Sequence, residues 1–233
     1  MKGKIYLIPN LLGEGIPDEM LPPNVIKIIK QLRFFIVEDI RTARRFLVKV
    51  GINQAIDSLT FFTLNEHTSS TDIFSYLDPA QNFDIGLLSE AGVPGIADPG
   101  ADIVRLAYRK GIQVVPLVGP SSILMAIMAS GLNGQNFAFN GYLPVKRSER
   151  INKIRFFEKR ALSENQTQVF IETPYRNMHL IEDLLNTCTP STMLGIAVDI
   201  SLDTEFIKTQ SIENWKQQMP QLHKRPAIFM IGR

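Results

Sequence analysis

The sequence predicts an α/β fold in which the strands of a parallel sheet alternate with helices. Along most of the 233 residues, short apolar runs rich in β-branched residues alternate with longer segments of helical periodicity. This order of strand and then helix is typical of a parallel sheet covered by helices. Glycine and proline fall between the segments, at the places where such a chain must turn.

The first half of the chain carries the regular part of this pattern. Pro9 ends the first apolar run, and Gly51 and Gly111 each follow a helical segment, where glycine adopts a left-handed C-cap without a steric clash. The predicted strands are 4–8, 33–37, 84–88 and 114–117, and the predicted helices are 24–32 (with Asn24 as N-cap), 40–50 and 100–110.

The second half continues with elements of the same type. The predicted helices are 121–130, 149–161 (basic and amphipathic) and 176–186, and the predicted strands are 137–141, 167–171, 194–200, 227–231 and a shorter run at 205–209. Gly119-Pro120 marks a sharp break between the halves. We therefore expect two lobes, 1–117 and 118–233.

Composition and charge exclude several classes of protein. The chain is 45% hydrophobic and 21% charged, which is ordinary for a globular protein. No apolar run approaches the ~20 residues of a membrane span, and the first apolar run is too short for a signal-peptide core, so we expect a cytoplasmic protein. A net charge of +2 gives no general field for nucleic acid, so local clusters must carry any such inference.

Neither cysteine nor histidine indicates a redox or metal site. Cys188 is the single cysteine, and its place near a predicted helix end favours a buried, unreactive side chain. His67, His179 and His223 are isolated in the sequence and lack the spacing of metal ligands.

The densest signal for a ligand site is the segment 88–100, LSEAGVPGIADPG, which follows a strand and precedes a helix. Its glycines and prolines predict a backbone of fixed irregular shape, either a tight turn or a loop that a ligand approaches closely. Loops at the carboxyl ends of parallel strands line the ligand crevice of such folds. The spacing matches neither a dinucleotide fingerprint nor a phosphate-binding P-loop.

This segment resembles the SDAGTP…DPG signature of the tetrapyrrole methylase superfamily, through 89–94 (SEAGVP) and 97–100 (ADPG). Further blocks follow the family's order: 37–41 (VEDIR), 114–121 (VVPLVGPS), 141–146 (GYLPVK) and 171–176 (IETPYR). Within the superfamily, the most similar branch comprises the bacterial enzymes that methylate a ribose 2′-hydroxyl of 16S ribosomal RNA.

The chain departs from that branch at several positions. The first loop reads IPNLLG over 8–13, Glu90 replaces an aspartate, and 95–97 differ from the usual residues. Near Asp199 an arginine and a glutamate of the branch are missing, and KRPA over 224–227 replaces its usual entry to the last strand. The resemblance is therefore firmer for the cofactor half than for the substrate half.

The resemblance implies two αβα lobes that hold S-adenosylmethionine in the cleft between them, without a metal ion. The implied cofactor-binding residues are Pro9, Ser89, Glu90, Ala91, Val93, Ser121, Ser122, Ile171, Glu172, Ala197 and Ala227. Ser121 and Ser122 are equally consistent with helix capping. An apolar slot with a few hydrogen bonds suits the adenine, and amides at a helix start suit a carboxylate or ribose hydroxyls.

Methyl transfer from a sulfonium depends mainly on alignment, and a hydroxyl acceptor also needs a base. The candidate catalytic residues are the carboxylates nearest by motif, Glu38, Asp39 and Glu90, and Arg41 of the same block. The sequence does not distinguish which carboxylate is the base. Glu38-Asp39 is alternatively an acidic pair that stabilises a helix start.

Two basic clusters suit the phosphates of ribosomal RNA, although such clusters are also common on solvated faces. Arg41, Arg44 and Arg45 recur at helical spacing with Lys49, and Lys146, Arg147, Arg150 and Lys153 begin a longer run. The resemblance further implies a homodimer.

Three functions follow from these observations. The first is 2′-O-methylation of small-subunit ribosomal RNA, which the motifs and basic clusters favour. The second is methylation of a tetrapyrrole or another small molecule, and the third is a cofactor-binding module without catalysis, which the altered loop at 8–10 leaves open.

Overall fold

The computed structural model describes residues 2–52, 56–65 and 68–233. The chain divides into two compact units, Met1–Ser121 and Ser122–Arg233. The boundary predicted from the sequence, between residues 117 and 118, lies a few residues earlier. Within the described ranges, none of the helices combines the length and apolar character that crossing a bilayer requires.

The first unit is a 5-stranded parallel sheet with helices on both faces. Its strands are β1 (Lys4–Ile8), β2 (Phe34–Val37), β3 (Thr60–Thr63), β4 (Ile85–Leu88) and β5 (Gln113–Pro116). Its helices are α1 (Pro17–Met20), α2 (Pro23–Ile29), α3 (Ile40–Lys49), α4 (Ser70–Tyr76) and α5 (Gly100–Arg109), with 3-10 turns at Ile56–Ser58 and Asp78–Gln81. The strand order is β3-β2-β4-β1-β5.

Both faces of this sheet are buried, which explains why its strands are almost continuously apolar. Phe35 and Leu88 pack in a core with residues of α2 and α3. Their chain neighbours Ile36 and Leu87 point the other way and pack with residues of α5. The predicted α/β architecture of this unit is confirmed.

The second unit contains a 5-stranded mixed sheet in the order β6-β7-β10-β8-β9. Its strands are β6 (Phe137–Tyr142), β7 (Thr167–Ile171), β8 (Met193–Val198), β9 (Phe206–Ser211) and β10 (Ala227–Gly232). Its helices are α6 (Ser122–Ser130), α7 (Arg147–Ser163), α8 (Asn177–Thr187) and α9 (Ile212–Gln217).

The parallel pattern expected throughout the chain is wrong for most of this second sheet. Only β6 and β7 pair in parallel, whereas β10 pairs antiparallel with β7 and β8, and β8 pairs antiparallel with β9. The short connection 199–205 between β8 and β9 requires the antiparallel arrangement, because a parallel pair needs a crossover of a dozen or more residues.

The core of the second unit lies between its sheet and α7, α8 and α9. Phe170, Ile196 and Phe229 are fully buried there, and the indole nitrogen of Trp215 donates a hydrogen bond of 2.8 Å to the Leu194 carbonyl. Cys188 follows α8 in the same core, and burial and then the nearby Glu158 carboxylate raise the pKa of its thiol far above the ordinary range. The expectation of a buried cysteine is confirmed.

Several local predictions differ from the structure. The elements β3, α1, α4 and α9 were not predicted, because each is short and carries a weak apolar pattern. Asn24 lies inside α2, whose N-cap is Pro22 and whose first residue is Pro23, a favoured first position for proline. His67 lies outside the described residues.

The buried face of α7 carries two charged residues, Arg150 and Glu158. The Arg150 guanidinium lies 2.7 Å from the Asp183 carboxylate, and it also donates to the carbonyls of Pro144 and Val145. Arg147 contacts the same carboxylate at 2.9 Å, but its side chain is 68% exposed. The Arg150–Asp183 ion pair therefore anchors α7 to α8 within the core.

Replacing Arg150 should destabilise the protein much more than replacing Arg147. Arg150→Met leaves the buried Asp183 carboxylate without its inner partner, so we expect the free energy of unfolding to fall by about 3 kcal/mol. Arg147→Met removes an exposed partner of the same carboxylate and should lower it by less than about 1 kcal/mol. Urea denaturation followed by circular dichroism measures both changes, and equal losses would contradict the structural role assigned to Arg150.

Candidate functional site

The connections of the first sheet diverge between β2 and β4, which are neighbours. From β2 the chain passes through α3 to β3 on one side, and from β4 it passes through α5 to β5 on the other. Ligands of open parallel sheets bind at the carboxyl ends of the strands, at such a switch point. Glu38 and Asp39 follow β2, and the glycine-containing loop follows β4, so the topology brings these predicted site residues to one place.

The loop after β4 is held in an irregular conformation by one side chain. Gly92 and Gly95 have φ values of +68° and +82°, in the left-handed region that glycine tolerates. One oxygen of Asp98 accepts hydrogen bonds from the Gly95 amide (2.7 Å) and the Gly100 amide (2.8 Å). Asp98 belongs to the sequence motif, but no role was predicted for it. Aspartate before Pro-Gly is nevertheless a common turn signal.

Asn10 fastens the end of β1 to this loop. Its main chain exchanges hydrogen bonds with Gly92, at 2.8 and 3.2 Å. Its buried side-chain amide donates to the carbonyls of Ser89 (3.0 Å) and Glu90 (3.1 Å). The sequence analysis missed Asn10, because nothing in the sequence indicates which loop a polar residue after a strand will contact.

Two predicted cofactor residues of this unit use their side chains for structure. The Ser89 hydroxyl is buried and donates to the Gly92 carbonyl at 2.9 Å. Pro9 is buried, and a Cβ added at Gly119 would lie 2.2 Å from its ring, so Pro9 packs closely on the loop after β5. The Ser89 side chain is therefore not available to a ligand. Ala91 is exposed and Val93 is half-buried in the same loop.

A hydrogen-bond network joins the three predicted carboxylates. The Glu90 amide donates to the Glu38 carboxylate at 3.3 Å, and the Thr42 hydroxyl donates to the Glu90 carboxylate at 2.6 Å. The Thr42 amide in turn donates to Asp39 at 2.8 Å, so Asp39 is the N-cap of α3. The acidic pair thus divides into a capping residue and a residue that faces the loop after β4.

The pKa values of Glu38 and Asp39 shift in opposite directions. Burial raises the pKa of Glu38 above its ordinary value, the Glu90 amide opposes the shift, and the charges of Asp98 and Glu90 add to it. Hydrogen bonds from Thr42 lower the pKa of the exposed Asp39. Glu38 is therefore the better proton acceptor near neutral pH. Among the described residues, no group of three or more His, Cys, Asp or Glu side chains is placed to hold a metal ion.

In the second unit, four predicted cofactor residues lie at one edge of the sheet. Ile171 is the last residue of β7 and Ala197 the penultimate residue of β8, and both pair with Ile228, next to Ala227 at the start of β10. Glu172 is buried there and accepts a hydrogen bond of 2.6 Å from Arg176. The remaining predicted serines flank the unit boundary: Ser121 ends the first unit and Ser122 begins α6.

The two departures from the family pattern in this unit contact each other. The Arg225 guanidinium donates to the Asp199 carboxylate at 2.7 Å and to the Thr204 carbonyl at 2.6 Å. Thr204 also donates to Asp199 at 2.8 Å, and Asp199 has a φ of +49°. The altered residues thus form one ion pair that joins the loops before β9 and β10.

The first basic cluster lies on α3, beside the site. Arg41 and Arg45 are exposed and line an open depression together with Asp39, Ile40 and Arg44. Arg44 lies 3.2 Å from Asp57 and 5.5 Å from the centre of the Phe61 ring. Arg41 and Arg45 are therefore the arginines of this cluster whose charges face solvent.

The second basic cluster is largely neutralised within the protein. Lys146 pairs with Glu149 at 3.1 Å, and Arg147 pairs with Asp183. The prediction that Arg150 contacts RNA is wrong, because its side chain is buried in the ion pair with Asp183. Among the described residues of this predicted set, only Lys153 has no carboxylate partner, and its ammonium lies 5.6 Å from the centre of the Phe156 ring.

No model of a protein family matches the chain. Its curated relatives include the ribosomal RNA small subunit methyltransferase I of Escherichia coli O157:H7, which is 29% identical over 206 residues, 88% of this chain and 68% of that protein. The enzyme of the same name from Pasteurella multocida is 28% identical over 235 residues, 99% of this chain and 79% of that protein. The one from Xylella fastidiosa is 32% identical over 182 residues, 78% of this chain and 63% of that protein.

The chain is a homologue of ribosomal RNA small subunit methyltransferase I. Solved structures define its fold. The methyltransferase CobJ aligns with a TM-score of 0.65 at 13% identity, over 99% of this chain and 94% of that one. A uroporphyrin-III C-methyltransferase from Thermus thermophilus, complexed with S-adenosylhomocysteine, aligns at 0.59 and 18% identity, over 99% of this chain and 98% of that one. The predicted tetrapyrrole methylase fold is confirmed.

Stability should depend on pH with opposite signs at Glu38 and Asp39. A raised pKa in the folded state means that Glu38 loses stabilising free energy as pH rises from the ordinary glutamate pKa of about 4.3 through its folded value. Glu38→Gln should therefore be more stable than the wild type at neutral pH, with the difference vanishing in acid. Asp39 has a lowered pKa, so the stability that its charge provides is present at neutral pH and is lost as pH falls through the folded value.

Asp39→Asn keeps the cap acceptor and removes the charge, and is therefore the matched control. It should be less stable than the wild type at neutral pH, and the deficit should shrink in acid. Urea denaturation of the three proteins between about pH 2 and pH 8 measures these differences. Changes of the same sign in both variants would contradict the environments described for the two carboxylates.

Proposed function

We propose that this chain transfers a methyl group from S-adenosylmethionine to a ribose 2′-hydroxyl of small-subunit ribosomal RNA. The observation that carries the proposal is the half-buried Glu38 carboxylate, which faces the irregular loop after β4 at the switch point of the first sheet. The relatives support the substrate class, because the curated proteins that resemble this chain are ribosomal RNA small subunit methyltransferases.

The loop after β4 fits the proposed cofactor. Residues 89–93 carry main-chain groups at the carboxyl edge of the sheet, and exposed Ala91 and half-buried Val93 provide an apolar surface for the adenosine. Nothing lies within 4 Å of a Cβ added at Gly95, so the neighbouring space is open. The carboxylate of Glu90 suits the ammonium of a methionine group. When bound, S-adenosylmethionine supplies a methyl group on a positively charged sulfur.

The roles of the second-unit residues are part of the same proposal. The resemblance assigns Ile171, Ala197 and Ala227 of the second sheet to the same cofactor. Glu172 is bound by Arg176 and by the Thr173 amide (2.7 Å), so its role is to fix the loop after β7. Ser121 and Ser122 are assigned to the cofactor from the resemblance.

Glu38 is the proposed general base. A ribose hydroxyl is a weak nucleophile, and a carboxylate of raised pKa is suited to accept its proton as the oxygen attacks carbon. The Glu90 amide orients Glu38, while Thr42 holds the Glu90 carboxylate in place. Asp39 holds the start of α3, and so positions Arg41 beside the site. The chain contributes chiefly alignment and removal of one proton.

Exposed arginines of α3 are the proposed phosphate contacts. Arg41 and Arg45 project from the helix that begins at the site, and Lys153 adds a positive charge on α7. Arg44 contributes less because it is held by Asp57. A homodimer in the cytoplasm completes the proposal: the homodimer comes from the resemblance, and the cytoplasmic location is what the apolar pattern of the sequence predicts.

The proposed reaction is tested with labelled S-adenosylmethionine and 30S subunits from a strain lacking this gene. Nuclease digestion and mass spectrometry should place the label on one ribose. Glu38→Gln should lower the rate about 10²- to 10⁴-fold, because it removes the proposed base, without changing cofactor affinity measured by calorimetry. Asp39→Asn, which preserves the helix cap, should retain most activity. A Glu38→Gln enzyme with wild-type turnover would remove Glu38 from the mechanism.

Binding without turnover would give a different answer. If wild-type protein binds S-adenosylmethionine but labels no RNA, the proposed substrate is wrong and a binding module without catalysis is favoured.

Phosphate contact by Arg41 and Arg45 predicts a specific salt dependence. Arg41→Gln and Arg45→Gln should each weaken binding to ribosomal RNA and reduce the slope of log affinity against log salt by roughly one. Lys216→Gln removes an equally exposed charge from α9 and should leave the slope unchanged. Filter binding at several salt concentrations measures the slopes, and identical slopes for all three variants would refute these contacts.

A further inference from the structure

An exposed aromatic ring lies beside a lysine at the edge of the second sheet where the predicted cofactor residues of that unit are found. Tyr175 belongs to the segment that joins β7 to α8, and 69% of its surface is exposed. The Lys224 ammonium lies 6.0 Å from the centre of the Tyr175 ring. The His223 ring meets it nearly perpendicularly, at 79° and 6.4 Å. The lysine ammonium thus lies over one face of the ring, and the exposure of Tyr175 leaves much of the rest of the ring open to solvent.

The backbone holds Lys224 against this ring in an unfavourable conformation. Lys224 has a φ of +59°, a region that residues other than glycine rarely adopt. Its amide donates to the Pro174 carbonyl at 3.1 Å, next to Tyr175, and Arg225 closes the turn by donating to the Leu222 carbonyl at 3.2 Å. Strain of this kind persists where surrounding contacts enforce it, and it is concentrated at binding sites.

The acidic residues near Tyr175 already form ion pairs, so the charge left unpaired there is positive. Glu172 is neutralised by Arg176 and Asp199 by Arg225. Within the described part of the chain, Lys224 has no carboxylate partner, and its charge faces solvent beside an open ring. An aromatic face with one free cation is complementary to a nucleobase and its adjacent phosphate, because bases stack on aromatic rings and phosphates bind ammonium groups.

We propose that Tyr175 and Lys224 form a binding site for one unpaired nucleotide of the RNA substrate, with the base stacked on Tyr175 and its phosphate bound by Lys224. The proposal rests on the proposed function and deepens it, because it names a residue pair that would hold a nucleotide splayed out of a helix. The His223 ring packs nearly perpendicular to the Tyr175 ring and helps to fix its orientation.

The test compares two single-stranded RNA oligonucleotides of equal length, one with ordinary bases and one with abasic units that keep every phosphate. Tyr175→Ala should raise the Kd for the ordinary RNA about 5- to 100-fold, the range expected for loss of one stacked base, and leave the Kd for the abasic RNA unchanged. Tyr175→Phe should bind both like the wild type. Tyr108→Ala is the matched control, because Tyr108 lies in the other unit and is also 69% exposed.

Lys224→Gln should act differently from Tyr175→Ala. It should weaken the binding of both RNAs to the same degree. It should also reduce the slope of log affinity against log salt by about 0.7, the value for one phosphate of a single strand. Tyr175→Trp gives a direct signal, because a stacked base quenches an exposed tryptophan, whereas Trp215 is buried and contributes a constant background.

Three outcomes would overturn the proposal. The first is a Tyr175→Ala protein that binds both RNAs like the wild type, and the second is one that loses equal affinity for both. The third is a difference in sedimentation between the Tyr175→Ala variant and the wild type in the absence of RNA. That result would assign the Tyr175 ring to a contact between copies of the chain. Failure of the methyl-transfer reaction is a separate result: wild-type protein that distinguishes ordinary from abasic RNA through Tyr175, yet methylates no RNA, would keep the nucleotide site and remove the proposed function.

Discussion

The arrangement of the first unit depends on how the ends of β1 and β4 are joined. Asn10 does this with four hydrogen bonds, two between its main chain and that of Gly92 and two from its side chain to the carbonyls of Ser89 and Glu90. Together with the hydrogen bonds of Asp98, they hold the loop after β4 and its left-handed glycines in one conformation. Once this loop is fixed, its Glu90 amide meets Glu38 from the neighbouring strand end. The position of Glu38, the proposed base, therefore depends on Asn10, which follows β1 on the opposite side of β4.

Neighbouring polar residues in this protein divide sharply between building the fold and facing the site. Asp39 caps a helix, while the adjacent Glu38 faces the loop after β4 and has a raised pKa. Arg150 is sealed in a buried ion pair, while Lys153, one helical turn later, is exposed. Residue type does not distinguish the two uses; the direction in which each side chain leaves its element does. Asp199 and Arg225 also stabilise the fold, since they form an ion pair with each other.

Much of the first unit could be predicted from sequence, because a buried parallel strand is an apolar run and its ends carry turn residues. The edge strand β3, Thr-Phe-Phe-Thr, was not predicted because it contains only two adjacent apolar residues. The antiparallel pairing of β10 could not be predicted, since strand direction depends on partners far away in the sequence. For the site, the motifs identified the loops and carboxylates. They could not identify Asn10 as the link, or Arg150 as buried, because both facts are contacts between distant residues.

The burial of Cys188 gives the chain a built-in reporter. The single thiol lies in the core after α8, and its raised pKa keeps it in the unreactive protonated form. Oxidants and alkylating reagents can therefore reach it only when the second unit opens. The rate at which a thiol reagent modifies the native protein thus measures the opening of that unit, residue-specifically and without any engineered label.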